Sequence, residues 1–379
     1  MGSNEKLKKN ESIQVFRALM FFWIFCAHIV EELQTLNPRV FNPLHVVEIG
    51  VTPFFVLSGF LLMARHTEDE PLSLKACFGS MMKRISRMYP LHIVTMLFVF
   101  FIWTARYWHG GVLAERFHDK LLVPLFFHSF LIQSWYPVGN ILMGLNAPSW
   151  YVSTAAFLYF IFPVMKKLIL KFKGKGRWLL LAAFLAFRYF LEIIRPKFPW
   201  ASPDVFPIFR ITDLFVSCLA GAVYFENKEK LKFSNLASFF LQLAAIAVGV
   251  LLSFVKPENY PFLICAFFKC NVIKILLSVL WIYFFMEGKG ILRFLTVAPL
   301  VALGNISGVA YLIHAPVMDL QGAIRSVLNL RYASWNLPSL YAVAAAEFAV
   351  TILFSILWIG MEKKIHSKKA AKLEKAKQA

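Results

Sequence analysis

The chain of 379 residues is 59% hydrophobic and only 16% charged, with a mean hydropathy of +0.63. Soluble domains carry about 25% charged residues and cannot bury this much apolar surface, so an ordinary globular fold is excluded. The 40 lysines and arginines against 21 acids leave a net charge of +19; in a membrane protein such an excess orients the loops.

In chain order, the polar start MGSNEKLKKN leads into a first apolar run at about 13–30, which contains Arg17 and lacks a small-residue cleavage site. It reads as a retained helix, not a signal peptide. Further runs follow at about 46–64, 88–105, 148–165, 178–195, 207–225, 235–255, 262–285, 296–318 and 337–361. Each is close to the roughly 17–25 residues that a helix needs to cross a bilayer. An eleventh candidate, 121–135, is short and carries His128, Ser129, Gln133 and Ser134.

Basic residues decide that candidate. If 121–135 does not span, the N-terminal tail and the loops 65–87, 166–177, 226–234 and 286–295 share one side with the C-terminal tail, and this side holds most of the lysine and arginine. If it did span, the stretch KKLILKFKGKGR would move outside, against the positive-inside rule. The expected fold is therefore all-α, a polytopic transmembrane bundle of about ten spanning helices with 121–135 as a re-entrant or interfacial segment lining a cavity. The expectation is a single transmembrane domain over 1–379, with short basic tails at 1–12 and 362–379 and both termini cytoplasmic, in a bacterial plasma membrane. The five cysteines read as small buried hydrophobes without a disulfide framework. No zinc-type spacing or aromatic-plus-basic RNA motif occurs, so neither a metal nor nucleic acid is expected.

Ionisable groups inside spanning helices are costly, and they mark function or pairing. Arg17 and His28 share one face of the first helix, roughly 16 Å apart along its axis. A functional pair fits this pattern, and so does a snorkelling arginine with a packing histidine. Arg188 with Glu192, and Arg210 with Asp213, have the spacing of intrahelical ion pairs. Lys269 and Asn271 lie inside the eighth run without an obvious local partner. Gly304, Asn305, Ser307 and Gly308 form a polar patch in the ninth, with His314 and Pro316 towards its outer end. Arg84 and Arg87, three apart at the start of the third helix, could present two guanidinium forks to phosphate or simply anchor the loop.

In this order, these segments resemble the acyltransferase-3 family of membrane O-acyltransferases. Arg17 and His28 resemble its first motif, and GVTPFFVLSGFLL (50–62) its second-helix motif. Arg84-Ile-Ser-Arg87-Met-Tyr-Pro90 resembles its Arg-x-x-Arg segment, and Tyr311-Leu-Ile-His314-Ala-Pro316 its late histidine motif. PSWYVSTAAFLYFIFP resembles the family's Trp-Ser-Leu-Ser-x-Glu segment, but Ala155 stands where the glutamate would fall. The closing Glu-x-Pro appears as Glu362-Lys363-Lys364, without the proline.

The resemblance implies an acyl-CoA donor, most naturally acetyl-CoA, in the cytoplasm, and an acceptor hydroxyl on a glycan or glycolipid. Arg84 and Arg87 would hold the CoA phosphates, and Arg17 would guide the thioester arm. His28 would be the general base, since its ordinary pKa lies near working pH. Ser58, Trp150 and Asn305 are the candidate oxyanion donors, and Ser153 and His314 would line the outer mouth. An acyl-enzyme through Ser153 or His28 stays open at this point. The alternative function is a transporter or flippase of a polar or glycan-lipid substrate, although no internal repeat of the kind many transporters carry is evident.

Overall fold

The computed structural model describes residues 10–37, 47–64, 72–136, 138–198, 204–227, 233–253, 259–269, 271–330 and 335–378. Among them every regular element is helical. The longer helices are α1 (Glu11–Leu36), α2 (Val47–Ala64), α3 (Leu74–His109), α4 (Trp150–Lys171), α5 (Lys175–Ile194), α6 (Ile211–Asn227), α7 (Asn235–Ser253), α8 (Phe262–Lys269), α9 (Val272–Glu287), α10 (Ala298–Val327) and α11 (Leu337–Gln378).

Every expected apolar run falls on one of these helices, the eighth being divided between α8 and α9. Five of them, α1, α3, α4, α10 and α11, are long and apolar enough to cross a membrane. Helices α6 and α9 have 17 and 16 residues, and α5 is interrupted by Arg188 and Glu192. In α2 and α7, which have 18 and 19 residues, the fully described apolar stretches are Val51–Met63 and Asn235–Gly249. The division at α8–α9 comes from Asn271, whose φ of +60° places it in the left-handed region that asparagine tolerates better than most residues. Its amide donates to Asp204 Oδ1 at 2.8 Å, which fixes the break. Residues 1–9 and parts of the loops used for orientation, 65–71 and 228–232 among them, lie outside the described residues, as do Cys270 and the Lys269 side chain. The C-terminal tail from Glu362 is a direct continuation of α11.

Helix α1 packs between α2 and α10; α2 also packs on α6, and α10 on α3 and α11. Glycine sets the closest of these approaches. A Cβ built on Gly304 of α10 would overlap the backbone carbonyl of Gln14 in α1, so the two helices meet main chain to main chain.

Both expected ion pairs are formed and buried. Arg188 Nη1 lies 3.8 Å from Glu192 Oε2. Arg210 Nη1 donates to Asp213 Oδ2 at 2.7 Å and to Thr52 Oγ1 of α2 at 3.0 Å, and its guanidinium lies over the Phe55 ring. Removing one partner of such a pair leaves a buried charge poorly compensated. Asp213→Ala is therefore expected to destabilise the protein by about 3 kcal/mol, read as an earlier unfolding transition in detergent.

The segment after α3 forms no spanning helix. A π-helical turn (Phe117–Leu122) runs into a short helix (Val123–Ser129), followed by 3₁₀ turns at Gln133–Trp135 and Ala147–Ser149. Its polar groups turn into the protein. His92 Nε2 of α3 donates to the His128 carbonyl at 2.9 Å, and His128 Nε2 donates to the Ile141 carbonyl at 2.8 Å. Gln133 Nε2 reaches the Ser149 carbonyl at 3.2 Å. These bonds supply the partners that non-helical backbone and polar side chains need away from water.

Candidate active site

A cavity of about 360 Å³ opens among α1, α2, α3, α4, α10 and α11. It lies towards the end of the bundle where α1 and α10 begin, and it is lined by Arg17, Ser58, Arg87 and Asn305 among the residues anticipated from sequence. Arg17 is half-buried, its Nη1 3.5 Å from Gln14 Oε1. Gly308 lies beside the Arg17 guanidinium with no side chain to crowd it. Arg87 is exposed on α3, at the cavity wall.

The two guanidinium groups expected to face phosphate, those of Arg84 and Arg87, take different positions. Arg84 folds back along its own helix, Nη1 donating to the Ser80 carbonyl at 2.7 Å and to Ser80 Oγ at 3.0 Å. Its guanidinium lies over the rings of Tyr159 and Phe162 of α4. This arrangement ties α3 to α4 and leaves Arg87 as the arginine of the pair that lines the cavity.

Residues to which the sequence alone gave no role at the site complete the wall: Tyr151, Tyr159, Tyr311, Trp358 and Glu362. The Tyr151 hydroxyl is 3.4 Å from Ser58 Oγ. Its ring meets Tyr311 at 5.6 Å between centroids, and Tyr311 meets His314 at the same distance. His314 in turn lies 5.3 Å from the ring of His28. A continuous row of rings thus leads from the cavity to a pair of histidines just behind it. The signal for Tyr151 and Tyr311 was present in the sequence, since both are hydroxyl-bearing rings inside apolar runs beside motif residues.

The two histidines differ. His314 is fully buried, and its Nδ1 is 2.7 Å from the Tyr311 carbonyl. A carbonyl only accepts, so Nδ1 carries the proton and the neutral ring offers a lone pair at Nε2. That Nε2 has no hydrogen-bond partner among the described residues. His28 is half-buried and more accessible than His314. The pair therefore combines an outer imidazole with an inner one whose tautomer is fixed.

Two further candidates take structural positions. Ser153 is buried, donating to the Leu131 carbonyl at 2.6 Å and accepting from the Ser134 amide at 3.3 Å, so it anchors the segment after α3 and does not border the cavity. Trp150 packs its ring 6.1 Å from Phe55, while its carbonyl accepts from Ser134 Oγ.

Comparison with known proteins points the same way as this constellation. Acyltransferase MdmB of Streptomyces mycarofaciens is 26% identical over 355 residues, an alignment covering 87% of this chain and 84% of that protein. No solved structure matches the chain. The family model described as an acyltransferase domain matches residues 10–358, which takes in Arg17, His28, Arg87 and His314 and nearly the whole bundle, so the chain belongs to the acyltransferase 3 family and is an acyltransferase.

Proposed function

We propose that this protein is a membrane O-acyltransferase that moves an acyl group, acetyl in the first instance, from cytoplasmic acyl-CoA to a hydroxyl of a glycan or glycolipid. One observation carries the reading: Arg17 and Arg87 line the cavity, and a row of rings leads from it through Tyr311 to the His28–His314 pair behind. We read the end with Arg17 and Arg87 as cytoplasmic, in a bacterial plasma membrane; the excess of basic residues in the loops on that side supports the sidedness. A volume of about 360 Å³ has room for the slender thioester arm. The charged CoA phosphates stay at the mouth, where Arg87 and Arg17 meet them and where Arg84 stiffens the helix that presents Arg87.

In the transfer step His28 takes the proton of the acceptor hydroxyl as its oxygen attacks the thioester carbonyl. The tetrahedral intermediate places negative charge on the former carbonyl oxygen. Ser58, Asn305 and the Tyr151 hydroxyl line the cavity and are the donors proposed to meet that charge. Collapse breaks the carbon–sulfur bond, and the departing thiolate takes the proton held on His28. His314, whose ring centroid lies 5.3 Å from that of His28, steadies the imidazole that carries the proton.

Purified protein in lipid vesicles should release free CoA from acetyl-CoA only when a glycan acceptor is supplied. Arg87→Ala should raise KM for acetyl-CoA about tenfold, the loss expected for one charge-assisted contact of roughly 1.5 kcal/mol. An unchanged KM would remove Arg87 from donor binding. Acceptor-independent behaviour would remove the transferase reading.

A further inference from the structure

The histidine-bearing stretch of α10 contains a built-in defect. Pro316 lies inside the helix and has no N–H to give to the carbonyl four residues earlier, that of Leu312. His314 sits between the two. An orphaned carbonyl in a buried helix is costly, and some other donor must reach it.

That donor comes from the irregular segment between α3 and α4. Asn146 Nδ2 donates to the Leu312 carbonyl at 2.9 Å and to Thr95 Oγ1 of α3 at 2.7 Å. Thr95 is itself held by the carbonyls of Leu91 and His92, at 2.9 and 3.1 Å. Asn146 is fully buried, and both its donors are directed at protein partners. The residue before it, Leu145, is also buried and has a φ of +49°. A leucine in the left-handed region costs on the order of 1 kcal/mol or more and persists only where its surroundings impose it. Leu131, at the other end of the same segment, has a φ of +56°. On either side of them, His128 Nδ1 lies 3.1 Å from Ser149 Oγ, and Ser153 holds the Leu131 carbonyl. The segment is thus pinned at several points, and the backbone strain in it delivers one carboxamide to one carbonyl.

We propose that Asn146 is a positioning residue for acyl transfer: its side-chain amide replaces the N–H that Pro316 lacks and so holds the turn of α10 that sets His314 against His28. The inference rests on the reading of the histidine pair as the place of transfer. It assigns the segment 117–149 a mechanical task, bracing α10 at its one proline break while leaving the break in place. Asn146 touches neither donor nor acceptor, so its loss should lower turnover and leave donor binding alone.

The test is a cycle of four proteins: wild type, Asn146→Ala, Pro316→Ala and the double variant. Restoring an N–H at position 316 gives Leu312 its helical partner and makes the Asn146 donor redundant. Asn146→Ala should lower kcat about tenfold with KM for acetyl-CoA unchanged, the loss expected for one hydrogen bond that fixes geometry. On the Pro316→Ala background the same replacement should change kcat less than about twofold. An equal loss on both backgrounds, or a rise in KM for acetyl-CoA in place of a fall in kcat, would overturn the proposal. A second readout does not need activity. In ¹⁵N-histidine NMR, the ring signal of His314, identified by its loss in His314→Gln, should move on Asn146→Ala when Pro316 is present and stay put when it is replaced. A His314 signal indifferent to Asn146 in the Pro316 protein would refute the bracing role. A signal that follows the cycle in a protein without transferase activity would uphold the brace and sink the transferase reading alone.

Discussion

Replacing Gly304 with alanine should silence the transferase and destabilise the bundle by about 3 kcal/mol or more, the upper range for overpacking. In an exposed helix the same change is favourable by roughly 1 kcal/mol, because alanine is the better helix former. Here the sign inverts, since the added methyl meets the Gln14 carbonyl oxygen, a backbone atom that no rotamer change can move aside. The two helices must separate, and they carry the two halves of the site, Arg17 and His28 on α1 and Asn305 and His314 on α10. Even a small displacement spoils the 5.3 Å pairing of the imidazoles and the alignment it provides. Gly322→Ala, on the same helix, is the control. A Cβ there meets nothing within 4 Å, so stability should hold or rise slightly. Thermal unfolding in detergent together with CoA release distinguishes the two, and a fully active, stable Gly304→Ala protein would contradict the main-chain contact.

His28→Ala should cost about 10²- to 10⁴-fold in kcat, the usual worth of a positioned general base. KM for acetyl-CoA should stay near its original value, because the groups proposed to bind the donor, Arg17 and Arg87, line the cavity and His28 lies behind Tyr311. The helix itself should tolerate the change, since His28 is half-buried and alanine is a strong helix former. Rate measurements across pH sharpen the assignment. The acid limb of the wild-type profile reports protonation of the base, and in the His28→Ala protein this limb should vanish from the residual rate. Transfer at full rate without His28 would end its role as base.

The long apolar runs and their polar interruptions were readable from sequence because helix length and burial leave a direct trace in composition. The pairing of Arg210 with Asp213 followed from spacing alone. The behaviour of Arg84 did not. Its partner atoms are Ser80, one turn back, and two rings of α4, and nothing local says that a guanidinium will prefer those to the cavity. Ser153 was hidden for a similar reason, since its partner is the carbonyl of a left-handed Leu131 on a different segment. The break at Asn271 looked like a polar residue inside a span, and only its bond to Asp204 identifies it as a terminus. Asn146 carried no periodic signal at all. Its task is set by Pro316, 170 positions later, and long-range complementarity of that kind leaves no mark on either segment alone.

The charged layer at α5 and α6 has a consequence for how the chain enters the bilayer during synthesis. Arg188 and Glu192 on α5 face the start of α6, where Arg210 and Asp213 pair and Phe209 covers the Arg188 guanidinium. Each ionised group threaded singly into lipid would cost about 2.5–3.5 kcal/mol. Entering as two neutral pairs, with Phe184 stacked on Phe215 at 3.7 Å beside them, the four groups avoid the cost that each would carry alone.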